Sequence, residues 1–151
     1  MINESEILEA QKLWSDGIIN IGKLKNDSSN LIAFTKQFLK KNYDFDNGVQ
    51  FKPTKASKNQ FRNDIESALS YFLGDNNKYP EDKGFALEPW LDVEFINDSI
   101  KFYDNICIAM GNYFFTKVSG EKVKVEYSFA YKKNKNLVKI ILHHSSMPFA
   151  L

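Results

Sequence analysis

Hydrophobic positions recur at helical spacing through the first half of the chain and at every second residue through its last third. Ile7, Trp14, Ile18 and Ile21 fall on one face of a 3.6-residue repeat, with polar residues filling most of the other. Asn26 to Asn30 forms a turn rich in Asn, Asp and Ser that is suited to capping a helix. Leu31, Phe34, Phe38 and Leu39 then mark a second amphipathic helix, ending near Tyr43. Val49-Gln50-Phe51 opens a short strand that Pro53 stops, because proline has no N–H for a ladder. A third helix is expected from Lys58 to Leu73, with Phe61, Ile65, Ala68, Leu69 and Phe72 on its stripe and Gly74 at its close.

Beyond Gly84 the period becomes two. Trp90 to Phe95 and Ile106 to Val118 read as strands, and Ser119-Gly120 reads as a hairpin turn. From Lys122 to Lys132 the alternation is clean: Val123, Val125, Tyr127, Phe129 and Tyr131 share one face, opposite Lys124, Glu126 and Ser128. Asn134 to Asn136 turns the chain, and Leu137 to Ser146 forms the last strand. Helices followed by antiparallel strands predict an α+β fold, with helices packed on one face of a curved, mainly antiparallel sheet whose mouth is a natural pocket. The 151 residues suffice for one domain, expected over residues 1–151.

Aromatic residues make up 15% of the chain, including 13 Phe and 7 Tyr, which predicts a ring-filled core or a ring-lined pocket. Lys+Arg 20 against Asp+Glu 19 leaves a net charge of +1, so no general field draws in nucleic acid or an anionic membrane. Lys132, Lys133 and Lys135 sit at a polar hairpin tip. The single cysteine, Cys107, lies in an apolar run and is expected to be a buried core residue. Met1 to Glu9 holds three glutamates and no basic residue, and no apolar run is long enough to cross a bilayer, so the expected location is the cytoplasm.

The only two histidines stand together in His143-His144-Ser145-Ser146. Alternation along a strand sends them to opposite faces, pairing His144 with Ser146 and His143 with Ser145. A His-based zinc site needs three or four His, Cys or carboxylate ligands, so a three-histidine centre within one chain is excluded. An imidazole beside a hydroxyl is a workable proton-transfer pair near neutral pH. Thr54 lies just past a strand end, and Tyr71 lies off the apolar stripe of the third helix, with its phenol free to point toward the sheet. Glu81-Asp82-Lys83-Gly84 reads as a charged turn.

Several separated stretches appear in a familiar order: Phe51-Lys52-Pro53-Thr54-Lys55-Ala56, Gln60-Phe61-Arg62, Ala68-Leu69-Ser70-Tyr71-Phe72, Glu81 to Leu87, Pro89-Trp90, Ala109 to Tyr113 and His143 to Pro148. Together they resemble the iota-class carbonic anhydrases, relatives of the calcium/calmodulin-dependent protein kinase II association domain and of the SnoaL-like, nuclear-transport-factor-like superfamily. The resemblance implies a cone-shaped fold, a homodimer, and a pocket for CO2 and bicarbonate; its members include metal-dependent and metal-free enzymes, and the two histidines of this chain favour the metal-free kind, with no cofactor. It places the pocket threonine on Thr54, the tyrosine on Tyr71, and the histidine and serine within 143–146. Alignment with a pocket arginine of the kinase domain favours His144 and Ser146, and on that basis His144, or Tyr71 coupled to it, takes the proton of the attacking water.

Two other classes fit the same outline. One is a non-catalytic small-molecule-binding or oligomerisation module of the kinase association type, since fold does not fix function. The other is an isomerase or dehydratase with a carboxylate base, for which Asp64 and Glu66 are the candidates.

Overall fold

The computed structural model describes residues 1–151. Three helices, α1 (Glu4–Lys23), α2 (Ser28–Asn42) and α3 (Ile65–Leu73), precede strands β2 (Trp90–Tyr103), β3 (Ile106–Lys117), β4 (Lys122–Asn134) and β5 (Leu137–Ser146). A three-residue strand, β1 (Gln50–Lys52), lies between α2 and α3, and a short 3-10 turn covers Phe85–Leu87. The sheet order is β1-β5-β4-β3-β2, antiparallel throughout except that β1 runs parallel to β5.

Local chemistry sets the helix ends. Asn3 and Glu6 form a reciprocal capping box at the start of α1, each side chain receiving the other's backbone N–H. Asp27 caps α2 through the Asn30 N–H. Trp14, Ile18 and Ile21 of α1 and Phe38 and Leu39 of α2 turn inward, as their spacing predicts, and join a core cluster of 25 buried residues. The inward faces of β3 and β4 complete it with Cys107, Ala109, Tyr113, Phe115, Val125, Tyr127, Phe129 and Tyr131. No helix is long and apolar enough to cross a membrane.

Three expectations are corrected. The third helix starts at Ile65 and not near Lys58: Asp64 caps it through the Ser67 N–H, and residues 58–64 follow an irregular path. Phe61, placed on the apolar stripe, is instead 70% exposed, while Arg62 beside it is fully buried. Strand β2 continues past Phe95 to Tyr103, because the polar Asn97-Asp98-Ser99 stretch is absorbed as a bulge and not as a turn. Gly111 faces that bulge so closely that a Cβ there would collide with the Ile96 carbonyl oxygen and approach the Tyr127 hydroxyl.

The third correction concerns Glu81-Asp82, which lies at a turn as expected but is an anchor, its carboxylates turned onto the protein and not out to solvent. Glu81 accepts hydrogen bonds from the backbone N–H groups of Ser57, Lys58 and Asn59, which hold its carboxyl at about 2. Asp82 is buried and paired with Arg62 at 2.8 Å through the two terminal guanidinium nitrogens, and it also accepts from Ser70 Oγ at 2.5 Å. Arg62 further donates to the carbonyls of Asn59 and Ser67 and lies over the Tyr79 ring. This clasp ties the 53–64 segment to the helix that carries Tyr71.

Candidate functional site

The face of β5 that meets the helices is set by one extra residue. Tyr131 pairs with Ile140, but Ala130 pairs with Leu142, so Ile141 is bulged out of the ladder. Without that bulge the inward position of Ile140 would continue to Leu142 and His144. With it, the parity shifts and His143 and Ser145 turn inward, 2% and 1% exposed. His144 is exposed on the opposite face, where it shares a shallow depression with Ser146, Glu126 and Asn112. The expectation that His144 and Ser146 join Thr54 and Tyr71 is therefore corrected, and the pair that meets them is His143 and Ser145.

Strand β1 delivers Thr54. Its parallel register sets Phe51 beside His143 and Lys52 beside His144, so the chain leaving β1 through Pro53 runs along the end of β5. Thr54 Oγ1 lies 2.6 Å from Ser145 Oγ. Ser145 Oγ lies 2.6 Å from Tyr113 Oη, which is 3.0 Å from His143 Nε2. On the other side of the ring, His143 Nδ1 is 2.8 Å from Tyr43 Oη, and Tyr43 Oη accepts the Trp14 indole N–H at 2.9 Å. Tyr71 projects from α3 to the same place, its phenol oxygen accepting the Lys55 N–H at 3.2 Å. No buried side-chain nitrogen or oxygen lacks a hydrogen-bond partner.

Rings enclose this line. The His143 imidazole is stacked between Phe51 and Phe129, at centroid distances of 4.7 and 4.0 Å, with Trp14 edge-on. Trp14, Phe51, Phe72, Phe85 and Phe115 wall a cavity whose polar lining comes from Thr54, Tyr71, Tyr113, His143 and Ser145. The space left is about 10 Å³, roughly what the centre of one water molecule needs. Beside it a wider opening of about 360 Å³ is lined by Tyr71, Phe85 and Trp90, by Lys25, Lys55 and Lys83, and by the carboxylates Glu81, Asp82 and Glu88. The aromatic excess in the composition thus fills both core and pocket.

Burial dictates protonation. Loss of water drives the His143 imidazole well below its ordinary pKa, with a smaller push from the neighbouring His144, so the ring is neutral. The same desolvation raises the phenols of Tyr43, Tyr71 and Tyr113 well above 10, only partly opposed by their hydrogen-bond partners. An imidazole titrating near 6.5, expected from the sequence, is not what the fold supplies. The cavity wall offers one imidazole and hydroxyls, with no carboxylate and no thiol, a poor donor set for a zinc ion.

Neither carboxylate considered as a deep base enters the cavity: Asp64 caps α3, and Glu66 faces Lys78 with both side chains exposed. Cys107 is buried, as expected, and burial lifts its thiol to about 11. The sequence pattern does not single out Tyr43 and Tyr113 as functional groups. Tyr113 was signalled by its inward parity with Ala109 on β3, whereas nothing local marks Tyr43, whose role depends on long-range packing.

Residues 5–147 match the family model described as metal-independent carbonic anhydrase. The chain is 37% identical over 153 residues to the metal-independent carbonic anhydrase of Nostoc sp. strain PCC 7120, covering 98% of this chain and 75% of that protein. It is also similar to the crystal structure of an iota-carbonic anhydrase from a cyanobacterium complexed with bicarbonate. That comparison gives a TM-score of 0.95 and 35% identity over 99% of this chain and 94% of the other. A protein from Xanthomonas campestris assigned as a calcium/calmodulin-dependent protein kinase II association domain aligns with a TM-score of 0.60 at 20% identity, over 99% of this chain and 91% of that one. A dehydratase-like protein from Streptomyces avermitilis gives 0.57 at 9%, over 97% and 96%. These last two share the α+β, nuclear-transport-factor-like fold alone. By its family match and its near-complete likeness to the cyanobacterial proteins, the chain belongs to the metal-independent, iota-class carbonic anhydrases.

Proposed function

We propose that the enzyme hydrates CO2 to bicarbonate in the ring-walled cavity, with Thr54, Tyr71, Ser145 and His143 as its working residues and no bound metal or other cofactor. The observation that carries this reading is the unbroken line of hydrogen bonds from His143 through Tyr113 and Ser145 to Thr54, ending at an apolar wall beside Tyr71. CO2 and the attacking water meet at the mouth by Tyr71 and Phe85, where the narrow cavity opens into the wider space, because the cavity itself holds the centre of about one water molecule. A water at the hydroxyl end attacks the carbon: the new C–O bond forms, one C=O pair moves onto oxygen, and the water's proton passes to solvent through the opening. Thr54 and Tyr71 donate hydrogen bonds to the oxygens as they gain charge. Preorganised donors of this kind contribute about 10²–10³-fold each, and holding the reactants together adds more.

His143, buried and neutral, is poorly suited to store the water's proton, and its place at the root of the hydroxyl line fits an orienting role. Among the charged groups around the opening, Glu81 and Asp82 are already occupied by backbone N–H groups and by Arg62, which leaves Lys25, Lys55 and Lys83 against Glu88 and suits the entry and exit of an anion. Residues 1–151 form one folding unit in this reading, since a single buried cluster runs from Ile2 to Ile140. The working form is a homodimer. Ile96, Ile108 and Met110 stand about half exposed on the sheet face away from the helices, an apolar surface that a second copy would cover. A buried, unpaired Cys107 suits the reducing cytoplasm.

Stopped-flow CO2 hydration with the purified protein tests the reading. The expected result is a rate well above buffer background that falls at least tenfold in Thr54→Val, which keeps the shape and removes the hydroxyl. A wild-type rate at background would reject it.

A further inference from the structure

Hydrogen-bond direction along the buried line is fixed by counting hydrogens. An indole N–H only donates, a phenol or alcohol has one hydrogen to give, and a neutral imidazole has one N–H and one bare nitrogen. Trp14 donates to Tyr43 Oη, so it occupies one side of that oxygen. Tyr43 is fully enclosed, and the one acceptor left within reach of its hydrogen is His143 Nδ1 at 2.8 Å. A bare Nδ1 requires the ring's hydrogen on Nε2, where it meets Tyr113 Oη at 3.0 Å. Tyr113 must then give its hydrogen to Ser145, and Ser145 to Thr54. The Thr54 hydrogen is the last in the series, and it points beyond the line to the cavity side, where the Tyr71 hydroxyl stands within reach.

We propose that Tyr43, backed by Trp14, locks His143 as the Nε2–H tautomer and thereby turns the whole line outward, making Thr54 a standing hydrogen-bond donor to an anionic oxygen in the cavity. The opposite polarity would have His143 Nδ1–H and Trp14 both donating to Tyr43, stranding the phenol hydrogen in an apolar enclosure with no acceptor. That penalty favours the outward arrangement by roughly tenfold to a hundredfold. Burial supports the assignment by keeping the ring neutral, so that one nitrogen stays bare.

Tyr43 and Trp14 are positioning residues in this scheme. Tyr43 lies behind the cavity, Trp14 gives it only the apolar side of a ring while its N–H is spent on Tyr43, and both act on the hydroxyl line through His143. Their placement is structural: Tyr43 ends α2, with its N–H on the Leu39 carbonyl, and forms an isolated bridge to Ile140 of β5. Three elements, α1, α2 and β5, thus meet at a single imidazole. A donor held outward recognises an oxyanion such as bicarbonate and the charge that builds on CO2 during attack, and it discriminates against a ligand that must itself donate. The catalytic part of this inference rests on the reading of the cavity as the site of CO2 hydration. The tautomer does not.

Long-range 1H–15N correlation spectra of histidine-labelled protein read the tautomer directly, and His144→Gln assigns the only other ring. The expected wild-type spectrum shows His143 as neutral Nε2–H from pH 6 to 8. Tyr43→Phe, which keeps the ring and removes the hydroxyl, should give a mixed tautomer and about a tenfold loss of kcat with KM within twofold. An Nδ1–H or imidazolium spectrum in the wild type overturns the proposal without recourse to any variant, as does a Tyr43→Phe protein whose tautomer and kcat match the wild type. A wild type that shows Nε2–H but hydrates CO2 only at background upholds the tautomer and rejects the cavity reading instead.

Discussion

His143 and His144 are sequence neighbours that live in different media. The first is stacked between Phe51 and Phe129 inside the protein, and the second faces out beside Ser146 and Glu126. Their side chains leave β5 on opposite faces of the sheet, one against the helices and one on the outer surface, so the two imidazoles have unrelated chemistry.

Substitution should therefore split them cleanly. His143→Ala is expected to lower the CO2 hydration rate by about 10²-fold or more, because it removes the root of the hydroxyl line and leaves Tyr43 and Tyr113 with unmet partners. His144→Ala should stay within about twofold of the wild type. Parallel stopped-flow measurements check the pair, and equal losses in both would refute the assignment of the inward face.

Acid should weaken the fold through the same ring. In the unfolded chain the imidazole takes its proton near pH 6.5, while in the folded chain burial delays that step to much lower pH. Below 6.5 the unfolded state holds more protons, so stability falls as pH falls, by about 1.4 kcal/mol per pH unit, until the folded ring also protonates. Above 6.5 the contribution is level. The groups packed on the ring, Tyr43, Tyr113, Trp14, Phe51 and Phe129, carry no charge in this range. Chemical denaturation at pH 5.5 and 7.5, compared between wild type and His143→Gln, measures the difference, and an identical pH dependence would rule out His143 as its source.

The Arg62–Asp82 clasp should matter more for stability than its surface-like sequence context suggests. Arg62→Met leaves the Asp82 carboxylate buried without its partner, which typically costs about 3–5 kcal/mol. A Tm drop of roughly 10 °C is expected, with substantial recovery in the double variant Arg62→Met/Asp82→Leu. No change in the single variant, read by calorimetry, would show the pair to be dispensable.

Association through the outer sheet face is testable by charge. Ile108→Glu or Met110→Glu introduces a carboxylate into the apolar surface and should shift sedimentation from dimer to monomer at micromolar concentration. A wild type that sediments as a monomer would remove the homodimer from the scheme.

Much of this architecture is legible in the amino-acid order. The 3.6-residue spacing of Trp14, Ile18 and Ile21 and the alternation of Val123 to Tyr131 specify helices and strands, because each element has one wet and one dry face. The two His–Ser pairs are legible too, but alternation gives parity and not phase. Phase came from Ile141, a bulge with no local signature that only pairing with β4 reveals. The truncated third helix was hidden for a similar reason. Glu81 takes the backbone N–H groups of Ser57, Lys58 and Asn59 from more than 20 positions away, leaving Asp64 to cap the helix, and the helical spacing of Phe61 and Ile65 carries no trace of that long-range hold. Tyr71 and Thr54 were found through resemblance, whereas the tie between Tyr43 and His143 spans 100 positions.

The reach of Thr54 toward Ser145 depends on β1, only three residues long and bound to the sheet along one edge. Its other edge is held by Arg62, whose N–H meets the Phe51 carbonyl at 2.7 Å, and by Asn63, whose side chain takes the Phe51 N–H at 2.9 Å. So brief a strip can peel away while the four long strands stay zipped, at a fraction of the work needed to melt the whole molecule. Mild warming or dilute denaturant should therefore silence turnover first and erase the circular-dichroism signal later, with the Phe51 amide exchanging its hydrogen early in that interval.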